Sequence, residues 1–179
     1  MINLDFIHDT HHAKATPLIG RGFFNIVIQL IAASQKSICV TVFQGSRQAL
    51  KNQTKTGRLV SALVKAKERG VDVRILIHSP ATSFRILRTN EDFLTALRQG
   101  GLNYRLGRPD DTLHAKLMII DDLVTICGSH NMTDRGLWDN YEAAVAVESA
   151  EIAQTFMKYF EFLWKRSRRE DIEWQGSGE

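Results

Sequence analysis

Between His114 and Asn131 the chain sets an imidazole, an ammonium and neutral polar groups at short, regular intervals. The segment is His114-Ala115-Lys116-Leu117-Met118-Ile119-Ile120-Asp121, then Gly128-Ser129-His130-Asn131, or H-x-K-x4-D-x6-G-S-x-N. On a strand, residues two apart share a face, so His114 and Lys116 project together. The apolar run Leu117 to Ile120 anchors them in a core, Asp121 and Asp122 make a turn, and a second short strand delivers Gly128, Ser129 and Asn131. Gly128 permits close backbone approach, and Ser129 and Asn131 are uncharged donors. A nucleophile or base, a fixed cation and neutral donors around one point suit an anionic tetrahedral group, with Lys116 and the donors holding phosphoryl oxygens through a displacement. A plain buried strand fits poorly, because lysine is rarely buried without a partner. A metal site fits poorly too, because Lys116 on the same face would repel a cation. His130, between Ser129 and Asn131, is expected to point away from the site.

These residues need a scaffold, and the periodicities supply one. From Gly20 the pattern is helical, with Phe23, Val27, Leu30, Ile31 and Ser34 on one face. Residues 37–43 alternate as a strand buried on both faces, with Ile38, Val40 and Val42 on one side and Cys39, Thr41 and Phe43 on the other. Residues 58–69 are helical, Gly70 caps them, and Val71 to Ile77 is a second strand. A helix near Glu91–Gln99, a strand near Leu102–Leu106, strands at His114–Ile120, Val124–Cys127 and Tyr141–Val147, and a helix from about Ala150 to Ser167 complete the reading. The alternation predicts an α/β fold with a mixed, largely parallel central sheet flanked by helices on both faces. Residues 1–19 are expected to be an arm or short edge strand, 20–168 a single catalytic domain, and 169–179 a flexible tail.

The segment from His114 to Asn131 resembles the HKD motif of the phospholipase D superfamily. Thr133 and Asn140-Tyr141-Glu142 extend the likeness, and the run Ala66-Lys67-Glu68-Arg69-Gly70-Val71-Asp72-Val73-Arg74 fits the family layout. The compact single-motif form resembles the small dimeric nucleases of that family. The resemblance implies a two-step reaction without metal or cofactor, in which one His114 forms a phosphohistidine and a second histidine handles the proton. It makes Lys116, Ser129 and Asn131 the phosphate ligands. It has Glu142 hydrogen-bond a histidine ring. It groups Asp121 with the catalytic residues, although a structural role is favoured. The chain has one complete motif, since His12-Ala13-Lys14 lacks the rest; the second histidine is therefore expected from a second copy, in a homodimer sharing one active site.

Partner and setting are read more coarsely. The chain of 179 residues carries a net charge of +3, compatible with a polyanion without demanding one. The loops Gln44–Arg58, with Arg47, Lys51, Lys55 and Arg58, and Ser79–Thr89, with Arg85 and Arg88, lack acids and follow strands. They are candidates to track a DNA or RNA backbone, with an ordinary solvated surface as the alternative. Trp138 is a candidate to stack on a base, although packing is favoured. The basic run Lys165–Arg169 is read as a helix end, His78 as an ordinary core or loop residue, and His8, His11 and His12 as part of a solvated arm rather than a metal site. Cys39 and Cys127 sit in apolar runs and read as reduced core thiols. With no signal-peptide pattern and no apolar stretch of spanning length, the expectation is a cytoplasmic protein without stable membrane association. The leading function is a metal-independent endonuclease; the alternatives are a phospholipid-hydrolysing enzyme and a catalytically silent nucleic-acid-binding module.

Overall fold

The computed structural model describes residues 10–80 and 83–169. The start of the expected arm, with His8, and the expected tail beyond Arg169, with Gly176 to Glu179, lie outside the described residues. The elements are β1 (Lys14–Ile19), α1 (Gly22–Ala33), β2 (Ser37–Val42), α2 (Lys55–Glu68), β3 (Asp72–Ile77), α3 (Phe84–Gln99), β4 (Asn103–Leu106), β5 (Leu117–Ile120), β6 (Val124–Gly128), β7 (Ala143–Glu148) and α4 (Ala150–Arg166). A π-helical turn, Arg135–Asp139, is closed by Asn140 N–H donating to Arg135 O.

The sheet order is β1-β7-β6-β5-β2-β3-β4. Parallel pairing is confined to β2, β3 and β4, the part built by helical crossovers. The β2–β5, β5–β6, β6–β7 and β7–β1 pairs are antiparallel. The sheet is mixed, as the alternation predicts, but it is largely antiparallel instead of largely parallel, because the parallel share ends where the crossover helices end.

Each face is buried for a reason visible in the strands. Ile38, Val40, Val42, Ile75, Ile77 and Ile120 point to one face, where α1, α2 and α3 cover them with Phe24, Val27, Leu59, Leu63, Phe93 and Leu97. The alternate residues Cys39, Leu76, Leu117 and Ile119 meet Ala153, Phe160 and Trp164 of α4 on the other. Fully burying one such side chain contributes about 1.5–3 kcal/mol against the entropy of ordering it. The helix α2 stops at Gly70, whose φ of +92° suits a residue without Cβ. There Gly70 N–H donates to Lys67 O and Val71 N–H to Ala66 O, the paired bonds of a left-handed C-terminal cap.

Four boundaries differ from the sequence reading by three residues or more. Of the two forms expected before Gly20, Lys14–Ile19 is the edge strand, paired with β7, so the sheet begins ahead of the expected domain start. The helix α2 begins at Lys55, which puts Lys55 and Arg58 on a helix instead of a loop. The helix α3 begins at Phe84, so Arg85 and Arg88 are helical as well. The β5 ladder begins at Leu117 instead of His114. At that point the buried Thr41 hydroxyl donates to Ala115 O at 2.8 Å and accepts from Leu117 N–H at 3.1 Å, so a side chain replaces the backbone partner. Among the described residues no helix is long and apolar enough to cross a membrane.

Candidate active site

Antiparallel pairing gathers the motif at one end of the central strands. The end of β2, the approach to β5, the end of β6 and the start of β7 lie side by side. They frame a cleft of about 550 Å³ lined by His114, Lys116, Gly128, Ser129 and Asn131, with Phe156 and Tyr159 of α4 closing one side. His114, Lys116, Ser129 and Asn131 are thus brought together.

His114 is exposed, and its ring packs edge-on against Phe43 at 4.6 Å between centroids. Lys116 Nζ donates to His114 O at 2.8 Å and sits 4.7 Å from the Phe43 centroid. Burial lowers the Lys116 pKa, with the Glu142 charge opposing. Ser129 is held by the backbone of β7, its N–H donating to Ala143 O at 3.0 Å and its Oγ accepting from Ala143 N–H at 3.2 Å. Its hydroxyl also donates to Glu142, whose other oxygen accepts from Asn140 Nδ2 at 3.1 Å. Within one chain, Glu142 therefore holds Ser129 and Asn140 and not the imidazole that the resemblance assigns it. Asn131 Oδ1 is buried without a hydrogen-bond partner among the described residues. Gly128 is a close approach of backbone to backbone: a Cβ there would lie 2.5 Å from Ala143 O and 2.6 Å from Ala144 Cα. Its smallness serves the β6–β7 contact that carries Ser129 into the cleft.

Asp121 is not in the cleft. It lies at the opposite end of β5, roughly 20 Å from His114 at about 3.3 Å per extended residue. Asp121 and Asp122 have φ of 56° and 55°, and Leu123 N–H donates to Ile120 O, which makes a tight hairpin turn of the twist-matched type. The Asp121 carboxylate accepts from Gln35 N–H at 2.9 Å, Lys36 N–H at 2.7 Å and Ser37 N–H at 3.1 Å, fastening this turn to the start of β2. The geometry makes it a positioning residue.

The other two histidines near the motif are buried. His130 stacks on Phe23 at 3.6 Å, away from the cleft, and both its ring nitrogens lack partners among the described residues. Burial lowers its pKa, partly offset by the Glu142 charge. His78 stacks on Phe43 at 5.0 Å and accepts from Leu113 N–H through Nδ1 at 3.4 Å. Burial, then the charges of His114 and Lys116, pull its pKa down. Cys39 is buried, Cys127 is half-buried, and both are free thiols; burial pushes Cys39 up to about 12. Among the described residues no three histidine, cysteine or acidic side chains gather as metal ligands.

The basic candidates sit outside the cleft lining. Lys55 Nζ lies 3.4 Å from the Trp138 ring centroid, Arg21 Cζ lies 5.3 Å from it, and Phe24 meets Trp138 edge-on at 6.1 Å, so Trp138 is packed. Arg58 stacks over Phe24 at 5.2 Å, and Arg47 pairs with Asp92 at 3.7 Å. Lys51, Arg85 and Arg88 have exposed side chains.

Sequence reasoning missed four residues that shape the site. Phe43 underlies His114, Lys116 and His78. Asn90 of α3, buried, accepts from Gly45 N–H and donates to Phe43 O and His78 O, fixing the loop after β2. Asp134 accepts from Lys55 N–H at 2.7 Å and from the Ser46 and Thr56 hydroxyls at 3.0 Å, tying the loop after Asn131 to the start of α2. A signal existed for it: the first turn of α2 has no acid of its own, and that end of a helix favours one. Tyr159 closes the cleft from α4.

Residues 27–164 match the family described as cardiolipin synthase, PLD-like domain. The chain is 26% identical over 147 residues to the human mitochondrial cardiolipin hydrolase, covering 82% of this chain and 53% of that protein. It thus spans about half the length of that relative. Its fold is similar to that of a phospholipase D family member, Nuc from Salmonella typhimurium, with a TM-score of 0.70, 22% identity and coverage of 87% of this chain and 97% of that one. NucT from Helicobacter pylori gives a TM-score of 0.67 at 15% identity, with coverage of 88% and 99%.

Proposed function

Since the chain belongs to the phospholipase D-like family, we propose that it is a metal-independent endonuclease, cleaving nucleic-acid phosphodiesters through a phosphohistidine at a site completed by a second copy of itself. One observation carries the reading. Among the described residues His114 is the only imidazole lining the cleft; His78 and His130, its neighbours in the fold, are buried and stacked on phenylalanines. A displacement that needs two imidazoles must take the second from another chain. An imidazole nitrogen attacks phosphorus, the bond to the leaving oxygen breaks, and the second imidazolium gives that oxygen its proton. That second ring then takes a proton from water, the water oxygen attacks phosphorus, and the P–N bond breaks to release a phosphate monoester. Lys116, Ser129 and Asn131 stabilise the non-bridging oxygens, and Glu142 orients Ser129. The free thiols Cys39 and Cys127 are compatible with a reducing, cytoplasmic setting.

A second reading, hydrolysis of phospholipid, is supported by the name of the human relative. One assay separates the two. The protein is incubated with labelled single- and double-stranded DNA, RNA and phospholipid vesicles in excess EDTA, beside His114→Ala, and its mass is followed by sedimentation. Cleavage of nucleic acid by a dimer, absent from the variant, is expected. Lipid turnover alone supports the second reading, binding without cleavage indicates a silent module, and an active monomer refutes the shared site.

A further inference from the structure

A second cavity lies beside the catalytic cleft and is not used by the chemistry above. Its volume is about 140 Å³. Leu76, Leu113 and Leu163 line it together with Tyr159 and Phe162 of α4. Arg108, Asp111 and Arg166 stand at its rim, the Asp111 carboxylate lying 3.6 Å from Arg108 Nε and 3.9 Å from an Arg166 nitrogen. We propose that this cavity is a base subsite, taking the nucleobase of a nucleotide that flanks the phosphate under attack; it rests on the nuclease reading.

Three features point to that occupant. The cavity adjoins the site: Tyr159 borders both spaces, and Leu113, which lines it, is the residue before His114. A group seated here is therefore a neighbour of the nucleophile. Its lining is mostly apolar, with Tyr159, Phe162 and the leucines available to the faces of a ring, and Arg108, Arg166 and Asp111 supply donors and an acceptor for its edge. The guanidinium of Arg166 already lies 5.2 Å from the Phe162 ring centroid, within cation–π reach. The rim ion pairs are solvent-exposed and worth little, so they can be exchanged for bonds to a base at small cost. The size also discriminates. An apolar cavity of about 150 Å³ takes a benzene ring, so a space of about 140 Å³ takes a single ring but not a whole acyl chain.

The test uses the intact protein and short oligonucleotides in which one nucleotide at a time around a single scissile phosphate is made abasic. One flanking position is expected to show a loss in kcat/KM of roughly ten- to a hundredfold, the range that stacking a single base contributes. Leu163→Trp, which fills the cavity, is expected to erase that penalty, and Arg108→Ala to reduce it. An abasic scan with no sensitive position overturns the proposal, and that arm needs no variant. So does a penalty that persists in a folded Leu163→Trp protein. If Leu163→Trp slows phospholipid hydrolysis and leaves base preference intact, the occupant is an acyl chain and the proposal is wrong. If no oligonucleotide is cleaved, the nuclease reading fails by itself. The cavity is then judged by equilibrium binding of a nucleoside 5′-monophosphate against deoxyribose 5-phosphate, where equal affinity overturns it and a tenfold preference lost in Leu163→Trp supports it.

Discussion

Replacing Asp121 separates a positioning role from a chemical one. Its carboxylate accepts three backbone N–H groups, from Gln35, Lys36 and Ser37. A hydrogen bond to a charged group is worth about 1.5–3 kcal/mol, but the bonds from Gln35 and Lys36 are exposed and water can replace them. The half-buried bond from Ser37 keeps most of its value. The expected cost of Asp121→Ala at pH 7 is therefore about 2–3 kcal/mol in urea unfolding. Asp121→Asn, which keeps one neutral acceptor and tolerates the positive φ, should cost about half of that. Burial pushes the Asp121 pKa up, but the N–H groups of Lys36, Gln35 and Ser37, with the Lys36 charge, outweigh it and leave the group lowered. A lowered carboxylate contributes stability above its unfolded pKa of about 3.9 and loses it as pH falls through the folded value. The gap between wild type and variant should accordingly close below about pH 4. Activity of the folded variants should stay within a few-fold of wild type, measured by initial rates well below the unfolding midpoint. A thousandfold loss of rate with unchanged stability would refute this reasoning and return Asp121 to the chemistry.

Gly128→Ala should lower the melting temperature or distort the β6–β7 ladder at a cost of about 1–3 kcal/mol, because the new methyl meets Ala144 and Ala143 O; an unchanged melting curve would contradict the close approach. His130→Phe should be neutral or stabilising at pH 7.5, since the ring nitrogens have no partners to lose. Its advantage should grow on acidification, because a histidine held below its usual pKa loses its contribution as pH falls from about 6.5 through the folded value; paired melts at pH 7.5 and 5 check this. Thr41→Val should cost about 2–3 kcal/mol and depress kcat, as it strips partners from Ala115 O and Leu117 N–H beside His114. Neutralising Arg47, Lys51 and Lys55 together should flatten the dependence of nucleic-acid binding on salt by about 0.7–0.9 for each phosphate no longer neutralised, and an unchanged slope would exclude them.

What could be read from the sequence was local. The strands β2 and β3 and the helices α2 and α4 announce themselves through period and cap. The motif places His114, Lys116, Ser129 and Asn131 in one cleft because two adjacent strands and a tight turn carry them all. The start of α3 was hidden because Phe84, Ile86 and Leu87 are too few to show a helical period so soon after Ser79-Pro80-Ala81-Thr82-Ser83, a composition that reads as loop. The shortened β5 was hidden because the cause is the hydroxyl of Thr41, 76 residues before Leu117. Phe43, Asn90 and Tyr159 act on the site only through tertiary contact, which no spacing encodes. The basic residues show the limit of charge counting: Arg47 and Lys55 already have partners in an acid and an indole.

The two flanks of the sheet bear on how copies can meet. On β1, Gly20 N–H donates to Glu142 O, so by the alternation of an antiparallel pair Thr16 and Leu18 bond inward while Pro17 faces outward. The outer row of donors is interrupted in its middle by a residue that has none. At the opposite flank, Leu106 and Arg168 exchange both backbone bonds, so the chain itself covers the end of the β4 margin. Both margins are thus interrupted, which disfavours fibre-like stacking and favours side-chain surfaces, not a continuous ribbon, as the means by which two molecules join.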